Sequence, residues 1–340
     1  MRQVPAGKPI RLVIWDLDDV LWRAAWDRAR APTLPETLRA LLATLDDRGI
    51  LMAGVTPRGA GAAEALQRLG VRAYLLSIDD GPRGDAIARI AQAWNLALDA
   101  TLVVGGDGAT APPAVRTLAA DADQLAALVD DPLLGAGVPR EPRPRRLIYL
   151  EERERAAAEQ RFAGSRAAFV AGLGMVLQLA PATPAELPRV RELVARTNQL
   201  AATYDDDELA ALIASPRHAC WLVSLADRFG DCGQVGLVVV ERTATRWTVQ
   251  LLQFSCRALP RGIDAIALAA VVRQARAAGV ELFAAVRPTR KNEAMIAAYH
   301  RAGFVAADAG GDVVLLRHEL VDVPAAPPGA RVGFAPPEAA

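Results

Sequence analysis

The hydrophobic positions of the first hundred residues come as short unbroken runs separated by amphipathic stretches. Arg11 to Trp15, Ile50 to Val55, Ala73 to Ser77 and Thr101 to Val104 are apolar and strand-sized. Between them, Thr33 to Asp47, Gly59 to Leu69 and Arg83 to Trp94 repeat apolar residues at helical spacing. Apolar runs without alternation are the mark of strands covered on both faces. Strand–helix alternation with short loops predicts a parallel α/β sheet with helices on both sides. From Ala111 to Arg146 the chain turns to Pro, Arg and Asp with weak periodicity, and a charged helix is predicted from about Leu150 to Arg161.

The second half has a different rhythm. Met175 to Leu179 reads as a strand, and Pro184 to Thr197 and Asp206 to Ala214 as helices. Three strands follow in succession, Ala219 to Leu225, Val235 to Glu241 and Trp247 to Phe254. Then come a long helix from Gly262 to Ala278, a strand Leu282 to Val286, a helix Asn292 to Ala302 and a strand Asp312 to Leu316. These shifts set the expected boundaries: a first domain over 1–135, a connection with the charged helix over 136–165, an α+β domain over 166–322, and a Pro- and Ala-rich tail over 323–340 expected to be disordered.

Length and charge narrow the picture. A chain of 340 residues exceeds one ordinary core, which agrees with two domains. Basic and acidic residues balance at 39 each, which argues against a protein whose task is gripping a nucleic-acid backbone. No apolar run approaches the roughly 20 residues that span a bilayer, and Met1 to Pro9 has no secretory apolar region, so no membrane partner is expected. Cys220, Cys232 and Cys256 lack CxxC spacing and cannot all pair, which suits a reducing, cytoplasmic setting. Cys220 precedes apolar Trp221 to Val223 and reads as core, whereas Cys232, in a Gly-flanked turn, is a candidate for exposure.

The strongest local motif is Asp16-Leu17-Asp18-Asp19 at the end of the first strand. Acids spaced i and i+2 at a strand's carboxyl end both reach the crevice where α/β sheets bind ligands. This resembles the DxD motif of the haloacid dehalogenase (HAD) superfamily. The resemblance implies that Asp16 is a nucleophile toward phosphorus and Asp18 a general acid/base. It also puts Thr56 and Arg83 in the family's phosphate-binding positions, with Arg83 replacing a Lys. The gaps of 40 residues from Asp16 to Thr56 and 27 from there to Arg83 leave no room for a large cap. After the fourth strand the family has an acidic pair for Mg²⁺; here stand Gly105-Gly106-Asp107. The implied metal set is Asp16, Asp18 through its carbonyl, and Asp107. Either the glycines let Asp107 swing back toward Asp16, or the metal site is impaired.

In the second half Thr197-Asn198-Gln199, Asp227-Arg228, Phe254-Ser255-Cys256-Arg257 with Arg261-Gly262, and Pro288 to Asn292 fall in order behind the N-terminal motif. Together they resemble the FkbH-like family, a HAD-like parallel-sheet domain without large cap followed by a GNAT-like acyltransferase domain. The resemblance covers about residues 10 to 318. It implies transfer of a glyceryl unit from a phosphorylated C3 acid, 1,3-bisphosphoglycerate, to the phosphopantetheine thiol of an acyl carrier protein for polyketide assembly, with Mg²⁺ as cofactor. Alternatives are an auxiliary carrier-binding protein with an inactive first domain, and an acyl-CoA-dependent N-acyltransferase.

Cys256 is the candidate acyl-carrying thiol. It lies between a strand and a helix N-terminus, with Arg257 and Arg261 nearby in sequence, where a thiolate is stabilised. A buried structural cysteine is the other reading. The turn from Arg257 to Gly262 resembles a GNAT pyrophosphate loop, but Pro260 has no N–H to offer a diphosphate. That favours a carrier arm over coenzyme A. Lys291, one of two lysines in the chain, and Asn292 open a helix and either meet a substrate anion or form a solvated charge and a cap. Thr197, Asn198 and Gln199 either hydrogen-bond glyceryl or pantetheine groups or end a helix. Asp227 and Arg228 either contact substrate or hold their turn through an ion pair.

Overall fold

The computed structural model describes residues 8–21, 34–57, 59–106, 109–134, 143–195, 204–255, 257–288, 292–310, 312–322 and 328–334. The chain divides into two units, Met1–Arg153 and Glu154–Ala340.

The first unit is built on five parallel strands: β1 (Leu12–Asp16), β2 (Leu51–Val55), β3 (Leu75–Asp79), β4 (Thr101–Val104) and β5 (Arg116–Leu118), in the order β3-β2-β1-β4-β5. Its helices are α1 (Leu17–Val20), α2 (Glu36–Asp47), α3 (Ala60–Arg68), α4 (Arg83–Ala93) and α5 (Ala122–Ala127), and α6 (Arg145–Arg161) leads out of the unit. The unbroken apolar run of β1 has the cause assigned to it above. Val13 and Trp15 pack in one core with Leu38, Leu41, Leu42 and Leu45 of α2. Leu12 and Ile14 pack in a second core with Ala86, Ile87 and Ile90 of α4. The order of strands reverses at β1, which pairs with β2 on one side and β4 on the other, so the crevice beyond its carboxyl end is where such sheets take ligands.

The helix expected from Leu150 begins earlier, at Arg145. The Arg-rich start hides its packing role: Arg145 is buried, donating to the Gly49 carbonyl at 3.3 Å, and Arg146 pairs with buried Asp46 at 2.9 Å. Charge that reads as a solvated connection is partly internal.

The second unit carries α7 (Arg166–Ala171), β6 (Val176–Pro181), α8 (Leu187–Ala195), α9 (Asp206–Ala214), β7 (His218–Asp227), β8 (Gly230–Arg242) and β9 (Arg246–Phe254). It continues with α10 (Ile263–Ala278), β10 (Glu281–Val286), α11 (Glu293–Arg301), β11 (Phe304–Gly310), β12 (Val313–His318) and β13 (Arg331–Phe334). The strands form one mixed sheet in the order β11-β12-β10-β9-β8-β7-β6-β13. Alternation along β7 sets its two faces: Trp221, Val223 and Leu225 join the core that includes Ile266 and Val271 of α10, while Cys220 and Leu222 join Val190, Leu193 and Leu209 of α8 and α9.

Three expectations are corrected here. The tail is not wholly without structure: Arg331–Phe334 pairs in parallel with β6, from Arg331 opposite Val176 to Phe334 opposite Leu179. Residues 323–327 and 335–340 lie outside the described residues. The strand expected from Asp312 has a partner the apolar pattern did not reveal, β11, because beyond Phe304 and Val305 its sequence is Ala, Asp and Gly, which do not announce a strand. Cys232 is buried rather than exposed, for a reason that belongs to the site below.

Candidate functional sites

In the first unit, three strand ends converge. Asp16 closes β1 and serves as N-cap of α1; one carboxylate oxygen accepts the N–H of Asp18 at 3.0 Å and of Asp19 at 3.1 Å. Thr56, buried just beyond β2, donates its hydroxyl hydrogen to Asp18 Oδ2 at 2.7 Å. Beyond β4, Gly106 donates its N–H to Asp19 Oδ2 at 2.8 Å. Arg83, the first residue of α4, forms an ion pair with Asp16 Oδ2. The structure thus brings Asp16, Asp18, Thr56 and Arg83 together, as the sequence suggested. It adds Asp19, which the sequence reading quoted within its motif without giving it a part. Asp107 lies outside the described residues.

In the second unit, the notable feature is a parting of parallel strands. Among the described residues β9 and β10 pair only from Arg246 opposite Glu281 to Val249 opposite Ala284, though β9 runs on to Phe254 and β10 to Val286. At the point of parting, β9 carries a bulge. Val240 of β8 faces Val249 and Val239 faces Leu251, leaving Gln250 as the extra residue. A bulge bends a strand and re-aims its backbone groups, and bulges gather next to functional sites. Among the described residues, the β9–β10 register ends at Val249, and β9 continues from Gln250 to Phe254 beyond it. The chain then makes a short turn into α10, whose 16 residues start beside that opening in sequence.

The turn itself is closed on its own carbonyls. The N–H groups of Ala258 and Leu259 donate to the Ser255 carbonyl at 2.9 and 3.2 Å, that of Arg261 to Ala258 at 3.0 Å, and that of Gly262 to Leu259 at 2.9 Å. Pro260 has none to give. Gly262 is left-handed at φ 73°, which lets a 3-10 turn pass straight into the helix. A diphosphate cradle needs outward-pointing N–H groups, and those of Ala258, Leu259, Arg261 and Gly262 are spent on the turn's own carbonyls.

Arg261 and Asp227 belong to a buried ionic cluster. The Asp227 carboxylate is fully enclosed and accepts from Arg155 Nε at 2.7 Å and Nη2 at 2.9 Å, from Arg261 Nη1 at 3.0 Å, and from the Phe229 N–H at 2.9 Å. Burial pushes its pKa up, but the hydrogen bonds and charges of Arg155, the Phe229 N–H and Arg261 outweigh it, so the carboxyl sits below its ordinary value. Cys232 is buried against the same two guanidinium groups, with Sγ 3.2 Å from Arg261 Nη1 and 3.7 Å from Arg155 Nη2. The Arg155 side chain, from the charged helix, is the member that no sequence signal marked.

The remaining expected residues divide. Arg228 stacks over Phe229 and Phe169 at 4.9 and 5.6 Å and donates to the Gly172 carbonyl at 3.3 Å. The Arg257 carbonyl accepts a long 3.4 Å contact from Arg261. Asn292 is buried at the N-cap of α11, yet its side-chain amide donates to the Arg287 carbonyl at 2.8 Å instead of capping. Thr197, Asn198, Gln199, Cys256 and Lys291 lie outside the described residues. The thiol of Cys220 is raised to about 11 by burial, which makes it an inert core residue.

No family model matches the chain, and no curated protein matches it. Among solved structures, it is similar over 42% of its length to the PaiA N-acetyltransferase of Thermoplasma acidophilum in complex with coenzyme A, at 14% identity, 98% coverage of that chain and a TM-score of 0.35. It is similar over 43% to Ard1 of Thermoplasma volcanium, at 15% identity, 97% coverage and 0.35. It is similar over 42% to the ribosomal-protein-S18-alanine N-acetyltransferase of Escherichia coli, at 16% identity, 92% coverage and 0.34. With TM-scores this low, none of these likenesses says what the sites do; their own geometry must. Among the described residues, no helix is long and apolar enough to cross a membrane.

Proposed function

We propose that this chain is an acyltransferase whose second unit takes an acyl group on a phosphopantetheine arm, in the opening where β9 and β10 part. The observation that carries the reading is that parting, with the bulge at Gln250 and the helix start after Phe254. A pantetheine arm is a narrow chain with two amides, and a strand edge that turns away from its neighbour offers backbone donors and acceptors in the spacing such a chain can use. The N–H groups of Ala258, Leu259, Arg261 and Gly262, given to the turn's own carbonyls, are not offered to the diphosphate of coenzyme A. The enclosed Asp227 takes the charge of Arg261, so that guanidinium is not spare for phosphate either. Both points favour an arm presented by an acyl carrier protein.

The acyl unit best matched by the sequence motifs is glyceryl or a closely related small hydroxyacyl group, delivered from an acyl phosphate; from 1,3-bisphosphoglycerate the unit first transferred is 3-phosphoglyceryl, and glyceryl itself requires hydrolysis of the remaining phosphate ester by water. In the transfer the thiolate of Cys256 attacks the carbonyl carbon, the new C–S bond forms and the C–O bond to phosphate breaks. Phosphate leaves with the electron pair. The carrier thiol then attacks the thioester, giving its proton to solvent, and Cys256 departs as thiolate. Thioester exchange is nearly balanced, so the carrier's own consumption draws the reaction forward.

The test is intact-mass analysis of a phosphopantetheinylated carrier protein incubated with the full chain and 1,3-bisphosphoglycerate. A glyceryl or phosphoglyceryl adduct on the carrier, lost with Cys256→Ala, supports the proposal. An unmodified carrier that co-elutes with the chain identifies an auxiliary binding protein instead. Acetylation of amines from acetyl-CoA identifies a coenzyme A-dependent N-acyltransferase. Either of these outcomes refutes carrier loading.

A further inference from the structure

We infer that the guanidinium of Arg83 stands in the first unit where a divalent cation would stand, so that Asp16 at the end of β1 is neutralised from within and the crevice takes no metal. The inference concerns a different unit from the acyl-transfer reading and does not depend on it.

Mg²⁺ needs near-octahedral oxygen ligation and leans on carboxylates. Each carboxylate at this crevice already has a partner. Asp16 Oδ2 pairs with Arg83, and Asp16 Oδ1 takes the N–H groups of Asp18 and Asp19 at 3.0 and 3.1 Å. Asp18 Oδ2 takes the Thr56 hydroxyl at 2.7 Å, and Asp19 Oδ2 takes the Gly106 N–H at 2.8 Å. Among the described residues, no group of three or more His, Cys, Asp or Glu is placed to hold a metal ion.

The loop after β4 fits the guanidinium, not an acidic pair. A Cβ on Gly106 would collide with the Arg83 guanidinium itself. A Cβ on Gly105 would lie 2.9 Å from Asp16 Cβ and 3.0 Å from a Val20 methyl. Both glycines are left-handed, at φ 96° and 73°, so side chains there are strained as well as crowded. Gly105 and Gly106 are therefore the complement of Arg83: neither position carries a side chain that could ligate a metal, and the internal cation uses that room. A divalent ion brought to Asp16 would meet the fixed positive charge of Arg83 at contact range.

Mn²⁺, whose free-ion paramagnetic resonance signal disappears on binding, reads the site directly on the full chain. The wild-type chain is expected to leave that signal unchanged at millimolar Mn²⁺. Arg83→Ala, which frees Asp16, is expected to take up one Mn²⁺ per chain, and Asp16→Asn in that background to lose it. Circular dichroism checks folding, and Arg83→Met, which keeps the aliphatic stem, replaces the alanine chain if that chain fails to fold. Wild-type uptake that Asp16→Asn abolishes overturns the inference. So does a folded Arg83 variant that takes up no Mn²⁺, because the guanidinium is then not what keeps metal out. Wild-type uptake untouched by Asp16→Asn is binding elsewhere, and leaves the crevice metal-free as inferred.

Discussion

Arg261 Nη1 reaches Asp227 Oδ2 at 3.0 Å across 34 residues of chain, tying the turn before α10 to the end of β7. Arg155 holds the same carboxylate from α6 through two nitrogens. One enclosed anion thus fixes a helix, a strand end and the turn that borders the proposed pantetheine opening.

This arrangement makes Asp227 a costly residue to lose. Neutralising a buried acid that balances two guanidinium groups leaves charge uncompensated, which costs about 3–5 kcal/mol. Asp227→Asn is expected to lower the unfolding free energy measured in urea by that amount, and a loss below about 1 kcal/mol would contradict the enclosed cluster. The pH dependence has a definite sign. The folded carboxyl titrates below its ordinary value, so its stabilisation is complete above the unfolded pKa and disappears as pH falls toward the folded one. The wild-type acid limb should be steeper than that of Asp227→Asn.

His318 gives a second pH-dependent term nearer neutrality. Its Nε2 faces the Ala302 carbonyl at 2.9 Å, while Nδ1 accepts the Leu320 N–H at 2.9 Å, which specifies the neutral tautomer. Burial lowers its pKa from the model-compound 6.5, ahead of the opposing pull of the Ala302 carbonyl and of Glu319 and Asp322. Between the folded pKa and 6.5 the unfolded chain binds more protons, so stability rises with pH through that window. Melting temperature should therefore fall on acidification from pH about 7 to about 5. His318→Gln should flatten that slope; an unchanged slope would remove His318 as its cause.

The sequence made the strand cores and the catalytic-looking acids visible, because each depends on local pattern. β1 is legible since both faces are buried, and Asp16, Thr56 and Arg83 are legible since each sits one step beyond a strand end or at a helix start. The Arg83–Asp16 pair was not legible as a substitute for metal. It depends on the room left by two glycines on another loop, which no spacing rule measures. Arg155 was hidden for a similar reason: in a helix rich in Arg and Glu, nothing local tells the buried guanidinium from the solvated ones. Cys232 looked exposed because glycines flank it, but the two arginines that cover it come from α6 and from the turn before α10. The bulge at Gln250 is a property of register between strands and leaves no trace in composition.

The same limit explains the tail and makes it testable. Pro and Ala around a short Arg-Val-Gly-Phe segment conceal a strand, yet β13 pairs along β6 and the Arg331 N–H donates to the Met175 carbonyl at 2.8 Å. Phe334 meets Trp221 edge to face, with ring centroids 5.4 Å apart and planes at 72°. Such a contact contributes beyond the area it buries, and losing it with its packing should cost roughly 1–3 kcal/mol. Phe334→Ala is therefore expected to lower the unfolding free energy measured in urea by that amount and to shift Trp221 emission, a change that Trp221→Phe would remove. A chain ending at Asp322 should lose more, since β6 then becomes an open edge, and should aggregate at concentrations the full chain tolerates. If the shortened chain melts with the full-length one and stays as soluble, β13 contributes nothing to the sheet and its pairing is incidental.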